Sequence, residues 1–410
     1  MKKLIALTLA SLTLFSTACG SMAAVDLMSG VTPQSDPAPL EAQSVDARTA
    51  VADFGVRLFR STVSDENTLI SPLSVLSALA MTANGAGGDT LSEMEAVLGL
   101  DTAALNEYMS AYLAALPEEE KCKLSLANSI WFTDDERFTV NKDFLQTNAD
   151  YYGADIYKSR FDNSTVRDIN TWVKDNTDGM IKKVLDEIPD SAVMYLVNAL
   201  AFDAEWQSIY EDYQVRSGHF DREDGTSESV KLMHSSEHMY IEDENTTGFI
   251  KYYNRSKCAF VALLPSEGMT IADYIGTLTG EKLTALIDGA SHTTVRAAIP
   301  KFSYDYSAEL ADILADMGMP TAFNADIADF SRLGTSTAGN IFISRVIHKT
   351  HIEVGERGTK AGAVTVIETA DGAADITTEP KEVILDRPFV YAIIDCSSGL
   401  PLFIGTVMDV

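Results

Sequence analysis

The chain has 410 residues, of which 46% are hydrophobic and 22% are charged, a composition typical of a globular protein. Its formal net charge of -29 argues against DNA, RNA or an anionic membrane surface as partner, because those ligands favour Lys and Arg. The length is sufficient for a substantial hydrophobic core, in one large domain or in two.

The N-terminal residues 1–19 have the features of an export signal. Two lysines precede a short apolar run at 4–15, which is too short to remain in a bilayer as a helix. The small residues before Cys19 resemble a bacterial lipobox, in which the Cys is lipidated, although Ser stands where Leu is usual. The alternative is a plain secretory signal cleaved nearby. Both interpretations predict an exported protein, extracellular or lipid-anchored at the cell surface, with residues 20–44 as a flexible tether.

The predicted elements from residue 45 onwards are mainly helices in the first part and strands in the second. Helical spacing of apolar residues predicts helices at 45–63, 72–84, 90–98, 142–151, 167–177, 271–287 and 310–317. Strands are predicted just before Pro72 and at 124–132, 154–157, 192–202, 230–233, 239–241, 247–253, 258–264, 295–299, 341–354, 383–385, 389–395 and 402–408. The continuous apolar run at 192–202 is typical of a strand covered on both faces. With no repeat and no internal linker, we expect one α+β domain at 45–410.

The segment at 356–380 suits both a loop and a strand. Its first half alternates, with Thr359, Ala361, Ala363 and Thr365 on one side. Successive strand residues point to opposite faces, so this small set could face a core while the charged residues face out. An ordinary surface loop leading into an edge strand is the competing interpretation.

The sequence contains no motif that indicates catalysis or metal binding. Cys122, Cys258 and Cys396 are far apart and lack metal-ligand spacing, and the last two lie in apolar runs typical of a core. His234 and His238 fall in a predicted strand and loop region rather than on one helical face. GxSxG, HExxH, P-loop and GxGxxG motifs are absent from the sequence, so we expect no enzyme, no metal and no cofactor.

Motifs along residues 45–410 resemble those of the serpin family, in the family's order. They are SPLS at 71–74, LANSIW at 126–131, the set Asn170, Trp172, Thr177 and Gly179, LVNALAF at 196–202 followed by Trp206, ALLP at 262–265, IPKF at 299–302, RPF at 387–389 and LFIG at 402–405. The resemblance implies the serpin fold, in which helices pack around three β-sheets, with a large central sheet A and an exposed C-terminal reactive loop.

The resemblance also implies roles for individual residues. The segment after residue 355 resembles the inhibitory hinge pattern E-x-G-T-x-A-A-A-A-T, with Lys360 where Glu is usual and with Gly362 and Val364 in place of Ala. The implied hinge residues are Glu356, Gly358, Thr359, Ala361, Ala363 and Thr365. The implied sheet-opening residues are Ser71, Ser74, Asn198 and His348, with Trp206 at the top of the sheet where insertion starts.

The function that the resemblance implies is irreversible suicide inhibition of serine proteases, by a monomer that inserts its cleaved loop into the central sheet. Counting from the hinge places the cut bond at Gly372-Ala373, with Ala374, Ile376 and Thr377 as alternatives because the loop is longer than usual. Residues 361–380 lack Lys, Arg, Phe, Tyr, Trp, Leu and Met, which favours an elastase-like or subtilisin-like target with a small pocket. The alternatives are inhibition of papain-like cysteine proteases and a non-inhibitory serpin acting as a surface binding protein.

Overall fold

The computed structural model describes residues 22–34, 36–40, 45–116, 118–119, 121–136, 138–189, 192–337, 339–359 and 379–410. The α-helices in these ranges are α1 Val45–Thr62, α2 Pro72–Ala83, α3 Gly88–Leu98, α4 Thr102–Ala115, α5 Lys142–Tyr152, α6 Asn163–Asn176, α7 Ile271–Thr277, α8 Gly280–Asp288 and α9 Ala311–Asp316. The strands are β1 Val25–Asp26, β2 Thr68–Ile70, β3 Glu118–Glu119, β4 Cys122–Thr133, β5 Phe138–Val140, β6 Asp155–Ser159, β7 Met194–Glu205, β8 Val215–Asp221, β9 Ser227–Glu242, β10 Thr246–Tyr252, β11 Cys258–Pro265, β12 Ser291–Pro300, β13 Phe302–Glu309, β14 Gly334–Ser336, β15 Arg345–Gly355, β16 Gly358–Thr359, β17 Lys381–Ile384, β18 Phe389–Asp395 and β19 Pro401–Val407.

An eight-stranded mixed sheet lies at the centre, with strand order β1-β6-β4-β7-β16-β15-β13 and with β3 added beside β4. Its strand β7 carries the long apolar run and is buried on both faces. Leu196 and Leu200 belong to the main core, whereas Tyr195 and Val197 pack in a second cluster with α6 residues such as Trp172. This alternation confirms the prediction of a strand that is covered on both sides.

A nine-stranded sheet forms the second layer, in the order β17-β12-β9-β10-β11-β18-β19-β2, with β8 beside β9. Every residue of β11, β18 and β19 is buried, and the main core cluster joins this sheet to the inner face of the eight-stranded sheet. A two-stranded sheet of β5 and β14 completes the described strands. The predicted α+β arrangement is therefore confirmed.

Several elements differ from the predicted ones. The single helix expected at 271–287 is two helices, because Thr279 caps α8 and a Cβ atom at Gly280 would lie 2.4 Å from the backbone of Asp53. The two strands expected at 230–233 and 239–241 form one long strand, β9. Helix α4 and the strands β8 and β13 were missed. For α4 and β13 a signal was available, in the helical spacing of the α4 apolar residues and the alternation of β13.

The N-terminal residues 22–34 differ from the flexible tether that we expected. Strand β1 pairs with β6 at the edge of the eight-stranded sheet. The Ala24 amide donates to Asp168 Oδ2 at 2.8 Å, and the Gln34 amide donates to Asp150 Oδ1 at 2.8 Å. The predicted export signal, including Cys19, lies outside the described residues. Within the described ranges, no helix combines the length and apolarity needed to cross a bilayer.

Candidate functional site

The short strand β16 consists of Gly358 and Thr359 and lies between β7 and β15. Thr359 is opposite Ala204 of β7 on one side and Val354 of β15 on the other. A Cβ atom at Gly358 would lie 1.9 Å from the Ala204 carbonyl oxygen, so only glycine fits at this close approach. The first residues of the segment that resembles a serpin hinge are therefore paired within the sheet.

A gap lies below β16 between the same two strands. Strands β7 and β15 pair directly, in parallel, over five rows that end at Ala199 and Lys349. Between that row and β16, the described ladders show no direct pairing of β7 with β15, and residues 200–202 of β7 and 350–353 of β15 pair with their outer neighbours β4 and β13. Facing strand edges with unpaired backbone groups are a template for an additional strand.

The Thr359 side chain enters the space between the two large sheets. It is 2% exposed, and its Oγ1 atom lies 2.5 Å from the Tyr253 hydroxyl. Tyr253 is fully buried and stacks on Trp206, with ring centroids 4.3 Å apart. Burial raises the pKa of Tyr253 well above its ordinary value, although the hydrogen bond to Thr359 opposes this. The first inward residue of the hinge therefore has a specific, neutral hydrogen-bonding partner.

Trp206 also fixes the turn that leads into β16. Its indole Nε1 donates to the Gly355 carbonyl at 2.9 Å, and its backbone amide donates to the Arg357 carbonyl at 2.8 Å. The amide of Tyr210 donates to the Glu356 carbonyl at 2.9 Å. Every carbonyl from 355 to 357 thus has a partner on the segment that follows β7. Trp206 thus lies beside the turn that leads into β16.

Glu356 forms an ion pair with Lys301, which lies between β12 and β13. The Lys301 Nζ and Glu356 Oε1 atoms are 2.7 Å apart, and both side chains are more than a third exposed. Partial burial alone would raise the pKa of Glu356, but hydrogen bonding and the charge of Lys301 outweigh it and lower that pKa. Exposed pairs contribute little to stability, so this contact mainly orients the turn.

A second ion pair beneath the turn was not predicted from the sequence. Lys251 is 2% exposed, and its Nζ atom lies 2.8 Å from Glu237 Oε1, 4.5 Å from the Tyr210 ring and 5.4 Å from the Trp206 ring. Burial opposes its charge, but Tyr210 and Glu237 outweigh burial and raise the pKa of Lys251. The sequence contained a signal that Lys251 would be buried, since it lies on the same strand face as Phe249 and Tyr253.

The polar cluster beneath the gap contains four of the residues predicted to open the sheet. His348 of β15 lies opposite Asn198 of β7, and its Nδ1 atom is 2.9 Å from Asn198 Oδ1. The Ser71 amide donates to His348 Nε2 at 3.1 Å, while the Ser71 hydroxyl caps α2 by accepting from the Ser74 amide at 3.3 Å. Because Nε2 accepts, the imidazole is neutral with its proton on Nδ1. Burial lowers the pKa of His348 to about 4.

The predicted site residues therefore fall into two groups at opposite ends of the gap. Glu356, Gly358, Thr359 and Trp206 meet at the top, whereas the cluster of Ser71, Ser74, Asn198 and His348 lies below. The predicted residues outside the described ranges are Cys19, Ala361, Ala363, Thr365, Gly372, Ala373, Ala374, Ile376 and Thr377. Among the described residues, no group of three or more His, Cys, Asp or Glu is arranged to hold a metal ion.

The helices around a mixed eight-stranded sheet, with a short hinge strand near the C-terminus, define an α+β protein of the serpin fold. The family model described as "Serpin (serine protease inhibitor)" matches residues 49–410. The chain therefore belongs to the serpin family, whose members are generally protease inhibitors and not enzymes.

Individual relatives agree with this assignment. An uncharacterized serpin-like protein of Thermococcus kodakarensis is 30% identical over 90% of this chain and 87% of its own length. The crystal structure of the thermophilic serpin tengpin in the native state is 48% identical and covers 94% of this chain and 100% of its own, with a TM-score of 0.89. Tengpin in the latent state is 47% identical over 89% of this chain and 98% of its own, with a TM-score of 0.78. The fold described above is thus more similar to the native form of that protein.

Proposed function

We propose that this serpin is an irreversible suicide inhibitor of serine proteases, which traps the acyl-enzyme by inserting its cleaved reactive loop into the eight-stranded sheet. The observation that carries the proposal is the position of β16, which is already paired between β7 and β15 above a gap. Because β16 runs antiparallel to both neighbours, its direction from Gly358 to Thr359 points towards the gap. Insertion of the loop then extends a strand that has already begun.

The chemistry of the trap belongs to the protease. Its serine attacks a loop carbonyl, an acyl ester forms, and the amine of the downstream segment leaves. The upstream segment, which carries the acylated protease, inserts as a strand, and displacement of the protease stops hydrolysis of the ester. We place the cut at Gly372-Ala373, with Ala374, Ile376 and Thr377 as alternatives.

The side chains that follow Thr359 support insertion. Residues 361, 363 and 365 share its face by strand alternation and would enter the same layer. They are Ala, Ala and Thr, so each is small and none carries a charge whose burial would be costly. The small residues at 361–380 also support an elastase-like or subtilisin-like target.

The test is a comparison of Thr359→Arg with the matched control Thr359→Ser. Arginine places a charge in the buried space beside Tyr253, so we expect the protease to cleave the loop and escape. Serine keeps the hydroxyl and should keep a protease complex that survives boiling in detergent. An unchanged yield of that complex in the arginine variant would contradict the insertion mechanism.

A panel of proteases distinguishes the remaining possibilities. The proposal expects covalent complexes with elastase-like or subtilisin-like enzymes, and mass spectrometry of the released C-terminal peptide identifies the cut bond. Complexes with papain-like enzymes alone would support cross-class inhibition. Cleavage without any complex across the panel would support a non-inhibitory binding protein.

We also propose that the protein is an exported monomer, anchored through a lipid on Cys19. The support is the sequence of residues 1–19, with its basic start, short apolar run and small residues before the cysteine. Detergent phase partition of the protein from a bacterial host tests the anchor. The wild type should enter the detergent phase and Cys19→Ser the aqueous phase, and equal partition of the two would contradict lipidation.

A further inference from the structure

Two cysteines meet between the large sheets, next to the hinge. Cys122 is the first residue of β4 and Cys258 is the first residue of β11, 136 positions apart in the sequence. Their Sγ atoms are 3.3 Å apart, and both side chains are buried. Sulfur atoms in a disulfide are about 2.05 Å apart, so an approach of roughly 1 Å would permit a bond.

We propose that Cys122 and Cys258 form a reversible disulfide that links the eight-stranded sheet to the nine-stranded sheet and controls loop insertion. The control of insertion rests on the proposed inhibitor function, whereas the disulfide itself does not. The sequence alone did not point to this pair, because the two thiols lack any characteristic spacing.

The position of Cys122 within the sheet connects it to the hinge. Cys122 is directly opposite Ala204, and Ala204 is directly opposite Thr359, so the three residues form one row across β4, β7 and β16. Directly opposed residues point to the same face of a sheet. Thr359 reaches Tyr253 on that face and Cys122 reaches Cys258, so both contacts are made to the nine-stranded sheet.

The two partners on the nine-stranded sheet are themselves linked. The Tyr253 amide donates to the Cys258 carbonyl at 3.0 Å, which closes the turn between β10 and β11. The hinge hydroxyl and the thiol of β4 therefore rest on the two ends of one turn. A covalent bond at Cys258 would fix the surface on which the hinge is seated.

The two cysteines lie on strands that the proposed insertion would affect differently, since β4 would move and β11 would not. Strand β4 pairs with β7 over eleven consecutive rows, from Cys122 to Phe132, so the two strands move together. Strand β11 pairs with β10 on one side and with β18 on the other, within a completely buried region. Insertion requires β7 and β4 to separate from β15. A bond from Cys122 to Cys258 would hold the moving strands against the fixed layer and resist that separation.

Oxidation requires an electron acceptor, for which we name a small-molecule disulfide. One cysteine thiolate attacks the acceptor and releases one small thiol, and the second cysteine attacks the mixed disulfide and releases the other. Two protein thiols are oxidised and one acceptor disulfide is reduced to two thiols. Hydrogen bonding to Cys122, together with burial, raises the pKa of Cys258 above its ordinary value, so the pair reacts only when this corner opens or while the chain folds.

The test uses the full chain equilibrated with defined ratios of oxidised and reduced glutathione. Peptide mapping should find a bond between Cys122 and Cys258 under oxidising conditions, and the thermal midpoint of the oxidised protein should rise. Loop insertion should slow by roughly tenfold or more, measured as a higher number of inhibitor molecules consumed per protease trapped. Reduction should restore the original values.

Matched variants distinguish the effect of the Cys122–Cys258 pair from that of Cys396. Cys122→Ser and Cys258→Ser should lose the redox dependence, and alanine replaces serine if either variant fails to fold. Cys396→Ser removes one thiol and should keep the dependence. Failure to form the bond in wild type at the most oxidising ratio overturns the inference. Formation of the bond with unchanged inhibition overturns its control of insertion, whereas a bond with no trapping in either state counts against the proposed inhibitor function alone.

Discussion

The neutral state of His348 leads to a prediction about acid stability. The native sheet holds the pKa of this imidazole at about 4, whereas a histidine in the unfolded chain has a pKa of about 6.5. Between these values the unfolded chain binds a proton that the native protein does not bind. The free energy of unfolding therefore falls as the pH drops below about 6.5, and the loss is complete below about pH 4.

The size of the effect follows from the two pKa values. Between about pH 7.5 and about pH 4.5, this single group removes about 2.5 kcal/mol from the free energy of unfolding. The physical reason is that an imidazolium has no acceptor for the Ser71 amide and would be buried without a counter-charge.

Urea unfolding of the wild type and of His348→Gln at a series of pH values measures this loss. The variant lacks the titrating group but keeps all other ionisable residues, so their contributions cancel in the difference between the two proteins. We expect the difference to change by about 2.5 kcal/mol over the acid range. Parallel pH profiles, or an imidazole resonance of His348 that titrates near 6.5, would refute the reasoning.

Three further predictions concern the turn and its supports. Gly358→Ala should displace β16, because its Cβ atom would lie 1.9 Å from the Ala204 carbonyl, and should speed hydrogen exchange at 204–205 and 358–359, the residues that pair in these two rows. Gly355→Ala has open space and should not do so. Lys251→Met should lower stability by about 3 kcal/mol, because Glu237, whose side chain is only 12% exposed, loses its charge partner. Addition of Glu237→Gln should recover most of the loss in a thermal melt. Lys301→Gln should change the free energy of unfolding by less than about 1 kcal/mol, since both side chains of its ion pair are more than a third exposed. A larger change would contradict the view that this pair mainly orients the turn.

The parts of the fold that the sequence predicts well are those determined by local pattern. Helix α1 begins at Val45 as expected, because its apolar spacing continues for eighteen residues. Helix α2 begins at Pro72 with Ser71 as its cap, a combination of residues that signals a helix start by itself. The division of Ile271–Asp288 into α7 and α8 was not predicted, because it depends on close packing of Gly280 against α1.

Local sequence patterns could not predict which residues contact each other in the site. Thr359 contacts Tyr253, which is 106 positions away in the sequence, and His348 contacts Asn198, which is 150 positions away. Strand alternation tells which face a side chain takes but not which residue it meets on the next layer. The resemblance to serpins supplied the residue sets for the hinge and the opening cluster. It did not supply the buried ion pair of Lys251, which depends on the packing of two separate strands against the turn.

The two groups of site residues suggest an order of events for the proposed insertion. Strand β16 occupies the top two rows, and in the described ladders β7 and β15 do not pair with each other again until the row of Ala199 and Lys349. The first part of the proposed insertion therefore breaks no pairing between β7 and β15. The next row is Lys349 with Ala199, and the row after that is His348 with Asn198. The hydrogen bond of His348 to Asn198 therefore joins β15 to β7 one row below the point where their direct pairing begins, and the proposed insertion must break it. The barrier to insertion should lie at this row, and the same imidazole that makes the closed sheet sensitive to acid should set how easily it opens.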